Sequence, residues 1–295
     1  MNRKLNHYAG YVFLLPWFVG FFLLTLIPMI ISLYYSFTNF NLLSEPKFVG
    51  LKNYIQIFTS DQHFINALTV TIKYVFISVP LQLLVSLILA FILNKGLPGL
   101  SLLRAAFYIP SLLGGSVAIS ILWRQIFGLE GILNKALSAI GFVDLAQISW
   151  MSNPDTAVWT LIILRVWQFG SPMIIFLAAI KQIPDSVIEA SAIDGASRFK
   201  QIIKIMIPLM SPILLFNFVM QIISAFKVFT EAYIISGGKG GIMDSLLFYT
   251  LYIYNEGFGN MRMGYASALS WIFVLIVGIF TALAFKLSSR YIHYN

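Results

Sequence analysis

EASAIDGASRFKQIIKIMIP, running from Glu189 to Pro208, is a polar and well-punctuated stretch set between two long apolar runs. Just upstream, Ser186-Val-Ile-Glu189 has the S-x-x-E form of a capping box and follows Pro184, so a short helix is expected to begin there. Gly195 ends it, because glycine enters the left-handed conformation cheaply, and Ser197 offers a side-chain oxygen to the first amides of a second helix. In that second helix Phe199, Ile202, Ile203 and Met206 recur at helical spacing, with Arg198, Lys200, Gln201 and Lys204 opposite. Taken alone, such a hairpin reads equally as an interfacial helix under lipid headgroups or as a cytoplasmic docking element.

The surrounding composition belongs to lipid rather than water. Apolar residues make up 59% of the chain and charged residues 10%, with mean hydropathy +0.86. A water-soluble chain of 295 residues needs far more charge to cover its surface. There is no cysteine, which removes disulfides and thiolate metal sites from consideration. The net charge of +8 is spread over short loops with no basic stripe of interleaved aromatics, so it argues against nucleic acid and for membrane orientation.

Six stretches are long and apolar enough to cross about 30 Å of hydrocarbon: 11–38, 70–93, 104–127, 156–180, 209–235 and 263–287. The first is too long for a signal-peptide core and lacks a small-residue cleavage site after it, so it is expected to stay as a helix. With both termini inside, Arg3, Lys4, Lys95, Arg104, Lys181, Arg198, Lys200, Lys204, Lys286 and Arg290 are cytoplasmic. Lys47, Lys52, Lys135, Lys239 and Arg262 are then outside, a two-to-one ratio that fits the positive-inside rule and makes the hairpin cytoplasmic. Pro16, Pro28, Pro80, Pro110, Pro172 and Pro212 are expected to kink these helices, mostly within ordinary bundle packing. The amphipathic pieces Asn53–Phe58 and Ile132–Ile140 suit the outer surface, where they either cap the bundle or dock a partner.

Catalytic chemistry is missing. His7, His63 and His293 have neither zinc nor catalytic spacing, and the cluster Gly237-Gly-Lys-Gly-Gly241 lacks the interval and the Ser/Thr of a phosphate-binding loop. No metal, catalytic residue or cofactor of the chain's own is expected. Polar residues inside the spans are more telling, because each is costly at bilayer depth unless it faces a bundle interior or a wet cavity. Arg165 and Gln168 lie in the fourth span; Asn217, Gln221, Ser224, Lys227 and Glu231 lie along the fifth. Spacings of three and four put Asn217, Gln221 and Ser224 on one face, with Lys227 and Glu231 as an i,i+4 pair. This is either a polar lane for substrate or an interhelical hydrogen-bond seam in which the Lys/Glu pair neutralises itself.

The wording of the hairpin goes further. Glu189-Ala-Ser191, three residues, Gly195, nine residues, then Ile205-Met-Ile-Pro208 closely resembles the EAA signature of ABC importer permeases, with Ser191 in place of the third-position alanine and Ile207 in place of leucine. The fuller string EASAIDGAS is similar to the carbohydrate-uptake branch. FVGLKNYIQIFTSDQHFINAL from Phe48 to Leu68, the GGKGG cluster and LYIYNEGF from Leu251 extend the likeness to the maltose and glycerol-phosphate permeases over nearly the whole chain. The resemblance implies an all-α polytopic protein of the type I ABC importer fold, a single permease domain over 1–295 with six spans and a cytoplasmic coupling loop over 181–208. It places ATPase coupling on Glu189, Ala190, Ser191, Asp194, Gly195 and Pro208. Sugar contacts would fall on Arg165, Gln168, Asn217, Gln221, Ser224 and Lys227, since the family's substrate site also uses the helix after the EAA loop. It further implies a bacterial or archaeal inner-membrane location and a second, related permease subunit. Two cytoplasmic ATPase subunits would bind ATP and Mg, and an extracellular solute-binding protein would deliver the carbohydrate.

Neutral oligosaccharide is the default substrate; Lys227 and Arg165 would suit an acidic sugar instead. A proton- or ion-coupled secondary transporter is the competing class, but it needs a chain of titratable residues through the membrane and only Glu231 is a candidate buried acid. A membrane enzyme is disfavoured by the missing catalytic set.

Overall fold

The computed structural model describes residues 5–94 and 99–288. Arg3, Lys4, Lys95, Arg290 and His293, which enter the charge and histidine readings above, lie outside them. The chain divides into two compact units: one is the chain up to Asp61 with Ile253–Val274, the other Gln62–Tyr252 with the chain from Leu275.

In the first unit, α1 (Leu5–Phe21) passes through a π-turn at Phe22–Leu26 into α2 (Ile27–Ser36). Pro28 sits in the first turn of α2, and a widened turn before a residue that cannot donate a backbone hydrogen bond relieves the clash a regular helix would suffer. None of the most apolar window of Phe13–Ser36 is fully buried within the chain. α3 (Lys52–Ser60) follows, and its buried Asn53 donates through Nδ2 to the Ser36 and Thr38 carbonyls at 2.9 and 2.8 Å, satisfying acceptors left over at the end of α2. The Gly264 amide donates to the Phe40 carbonyl at 2.9 Å, and a Cβ at 264 would lie 2.2 Å from the Thr38 carbonyl oxygen. Only glycine fits there.

The second unit is built on α4 (Gln62–Leu93), a 32-residue helix of roughly 48 Å at 1.5 Å per residue. It begins eight residues before the expected boundary at 70, so the end of the expected outer loop is the first two turns of this helix. Next come α5 (Leu100–Leu113), α6 (Val117–Ile126), the short α7 (Ile132–Ala139) and α8 (Val143–Ala146), then α9 (Pro154–Trp167) and α10 (Gly170–Ile180). The hairpin helices α11 (Asp185–Ile193) and α12 (Arg198–Gln201) lead through a π-turn at Ile202–Met206 to α13 (Ile207–Leu209). α14 (Ser211–Phe226), α15 (Thr230–Ser236) and α16 (Tyr249–Tyr254) follow, and α17 (Met263–Ser288) supplies residues to both units. α4 packs against α9, α10 and α14. Ala90, Leu93, Met173, Phe176, Ile180 and Met210 form a core between them, where apolar burial is worth about 25 cal/mol per Å2.

Among the described residues four helices are long and apolar enough to cross a membrane unaided, and there are six spans if each of two bent pairs counts as one. The third expected span, 104–127, bends by 96° between α5 and α6, and the fourth, 156–180, bends by 40° between α9 and α10. The breaks lie at Gly114-Gly115-Ser116 and at Gln168-Phe169, whereas Pro80 and Pro110 lie inside unbroken helices. The first break follows its glycines, with Ser116 accepting from the Ile119 amide to start α6, whereas the second lies just before the expected Pro172, which has no amide to donate to the Gln168 carbonyl four residues back. Among the described residues there is no strand, only isolated bridges at Thr38–Phe48 and Asn41–Ser44.

Candidate functional site

The α9–α10 break leaves the Gln168 carbonyl without a helical partner and the Phe169 carbonyl with the Met173 amide at 3.1 Å, in the middle of an apolar unit where an unsatisfied carbonyl is costly. Three side chains from two other helices meet them. Gln82 Nε2 on α4 and Ser111 Oγ on α5 donate to the Gln168 carbonyl at 2.8 and 2.9 Å, and Ser86 Oγ donates to the Phe169 carbonyl at 2.9 Å. Ser111 Oγ also accepts from the Ser171 amide at 2.9 Å. Close approach makes this possible: a Cβ on Gly170 would lie 2.5 Å from the Phe107 carbonyl oxygen.

The other end of the Gln82 amide accepts from Arg165. Arg165 is 8% exposed and Gln82 2%. The guanidinium donates from Nε to Gln82 Oε1 at 3.0 Å, from Nη1 to Ser224 Oγ at 3.2 Å, and from Nη2 to Gln221 Oε1 at 2.6 Å and to the Gln221 carbonyl at 3.2 Å. Its hydrogen bonds are satisfied by neutral groups, and no carboxylate is among them, so the positive charge is held in place without being cancelled. Beside it opens a cavity of about 460 Å3, whose lining includes Ser111, Arg165, Gln168, Ser224, Lys227 and Glu231.

The structure thus brings Arg165, Gln168, Ser224 and Lys227 to one cavity, with Gln221 behind Arg165 holding it. Asn217 is different: it is buried, and its Nδ2 donates to the Ile213 carbonyl at 3.3 Å without reaching the cavity. The expected Lys227/Glu231 helical pair does not form. α14 ends at Phe226, Phe229 leaves helical geometry with φ −138° and ψ −59°, and no ion pair joins the two side chains. Both line the cavity separately. Gln82 and Ser111 were not anticipated, although Gln82 is an amide in the middle of an apolar run and carries the same signal as Gln168.

The hairpin matches its sequence in part. Gly195 adopts φ +77°, the Ala196 amide donates to the Ser191 carbonyl and the Gly195 amide to the Ala192 carbonyl, each at 3.0 Å, forming a Schellman end. Ser197 caps α12 by accepting from the Lys200 amide at 3.4 Å. The capping box at Ser186 does not form: the extended Pro184 is the N-cap, the helix starts at Asp185, and Ser186 falls one position inside it. The polar face of the second helix is also corrected. Gln201 is buried, donating to Ser191 Oγ at 3.0 Å and to the Ile188 carbonyl at 3.3 Å, while Phe199 is 75% exposed. The reason is cross-hairpin pairing: Ser191 Oγ, itself donating to the Ile188 carbonyl, needs a donor and draws the amide inward. Glu189 and Asp194 are exposed, as is Ile193 at 87%.

Among the described residues no group of three or more His, Asp or Glu side chains could hold a metal. A family model described as the binding-protein-dependent transport system inner membrane component matches residues 8–293. The chain belongs to this family. The probable ABC transporter permease protein YesP of Bacillus subtilis is 48% identical, over 98% of this chain and 93% of its own length. The lactose transport system permease protein LacF of Rhizobium radiobacter is 33% identical, over 94% and 92%. The fold is shared with a chain of a bacterial ABC transporter involved in the import of the acidic polysaccharide alginate, with TM-score 0.78 at 21% identity, over 97% of this chain and 96% of that one. As an inner membrane component of a transport system, the chain is a multi-pass membrane permease and not an enzyme.

Proposed function

We propose that this chain is a permease subunit of an ATP-binding-cassette importer that translocates a sugar in oligosaccharide form, delivered by an extracellular solute-binding protein. The observation that carries the reading is the Arg165 centre: a buried guanidinium, hydrogen-bonded to neutral groups only, opening on a cavity of about 460 Å3 at a break in the α9–α10 span of a family permease. Arg165, Gln168, Ser224 and Lys227 would contact sugar hydroxyls, with Gln82 and Gln221 positioning Arg165. Permeases for lactose and for starch degradation products among its relatives support sugar as the cargo.

In this reading each bent pair is one span, giving six, with both termini and the Glu189–Pro208 hairpin in the cytoplasm. Ile193 and Phe199 present an apolar surface next to the Glu189 and Asp194 carboxylates, suited to a separate ATPase subunit that binds ATP and Mg. A second, related permease would cover the outward-facing first helix. Closure of the ATPase pair would then switch the bundle between inward- and outward-facing states through the hairpin. The test is sugar uptake into vesicles holding the assembled complex and its binding protein. ATP-dependent, vanadate-sensitive accumulation is expected, and accumulation driven by an ion gradient without ATP would overturn the reading.

A further inference from the structure

A second cavity, of about 490 Å3, is lined by Arg124, Ser149, Ser152, Ser236 and Lys239 among others, and by no acidic residue. It is tied to the first by one pair of helices. α6 packs on α15. Gly115, just before α6, and Glu231, in the first turn of α15, line the first cavity; Arg124 and Ser236, near the far ends of the same two helices, line the second. Gly115 to Arg124 is nine residues, about 13 Å at helical rise, which is longer than one pyranose ring.

Along this length the charged side chains in the lining are Arg165 and Lys227 in the first cavity and Arg124 and Lys239 in the second, against Glu231 alone. Glu231 is not paired with Lys227, and Arg165 is bonded only to neutral groups. A neutral glycan would give these cations hydroxyl contacts but no counter-charge, whereas carboxylates would form charge-assisted hydrogen bonds about twice as strong as neutral ones. Like-signed walls around a cleft also concentrate anions before any contact is made.

We propose that the two cavities form one basic track for an acidic oligosaccharide, with sugar carboxylates against Arg124 and Lys239 in the second cavity and against Lys227 in the first. The serines and Gln168 take the hydroxyls. This rests on the sugar-import reading above. The assembled importer, with its binding protein, is placed in ATP-loaded vesicles, and uptake of labelled trigalacturonate and labelled maltotriose is compared in wild type, Arg124→Gln/Lys239→Gln and Lys227→Gln. Expected is trigalacturonate uptake in wild type that falls at least tenfold in each variant, with any maltotriose uptake changing less than twofold in Arg124→Gln/Lys239→Gln. Uptake of maltotriose without trigalacturonate, or equal losses for both, overturns the basic track and leaves sugar import standing. Accumulation of neither sugar overturns the sugar-import reading along with it.

Discussion

The Glu189–Pro208 hairpin and the Arg165 centre are both polar insertions in an apolar chain, and they are satisfied in opposite ways. In the hairpin, Gln201 reaches Ser191 only ten residues back, and the turn closes on its own backbone. In the Arg165 centre the partners come from 83 residues upstream, at Gln82, and from 56 to 59 residues downstream, at Gln221 and Ser224. A hairpin near water can lose one bond and recover it from solvent, whereas a group inside the bundle has no such substitute. Local punctuation suits an element that must present a surface. Long-range closure suits one that must hold several helices together.

The comparison is broken most directly at Gln82. Gln82→Leu leaves the Arg165 Nε donor without its partner and the Gln168 carbonyl with Ser111 Oγ alone, so the loss is expected at about 3 kcal/mol, read as a lower unfolding temperature and reduced recovery of assembled complex. A variant as stable as wild type would mean water already serves this centre. Gly170→Ala comes next, because its Cβ would meet a backbone carbonyl that cannot swing aside; about 1–3 kcal/mol is expected in the same assay, and no shift would show that α5 and α10 separate freely.

At the hairpin the effects are smaller on stability and larger on coupling. Gly195→Val should cost about 1–2 kcal/mol from its left-handed backbone, with normal insertion but transport uncoupled from ATP hydrolysis. Wild-type transport by that variant would remove the turn from the coupling path. Glu189→Gln should leave unfolding untouched, since no cap depends on this side chain. It should weaken ATPase association severalfold at low salt, with the difference vanishing at high salt. Superimposable salt curves would show the carboxylate to be idle.

What could be read from the sequence follows the same division. Gly195 and Ser197 act as read, because a turn glycine and a cap serine need only their neighbours. The membrane class and the first, second, fifth and sixth expected spans were legible from apolar run lengths. Two local readings failed by small displacements: Ser186 lies one residue inside the helix, and Lys227 lies just beyond the end of α14, so neither the capping box nor the i,i+4 pair has the geometry its spacing suggested. In the Arg165 centre only the α9 and α14 members were visible. Gln82 and Ser111 matter through helices far away in sequence, and no periodicity in α4 or α5 points toward the α9–α10 break they serve.

Each of the two π-turns described above, Phe22–Leu26 and Ile202–Met206, ends directly before an Ile-Pro step, Ile27-Pro28 and Ile207-Pro208. In mechanical terms each is a swivel set into an otherwise stiff shaft. A regular helix passes torque along its length through an unbroken ladder, while a widened turn next to a missing donor can wind or unwind without snapping it. A push on the hairpin would therefore reach α14 through a joint and not through a rod. Twist is absorbed at Ile202–Met206 before it arrives at the helix that holds Gln221 and Ser224 on Arg165.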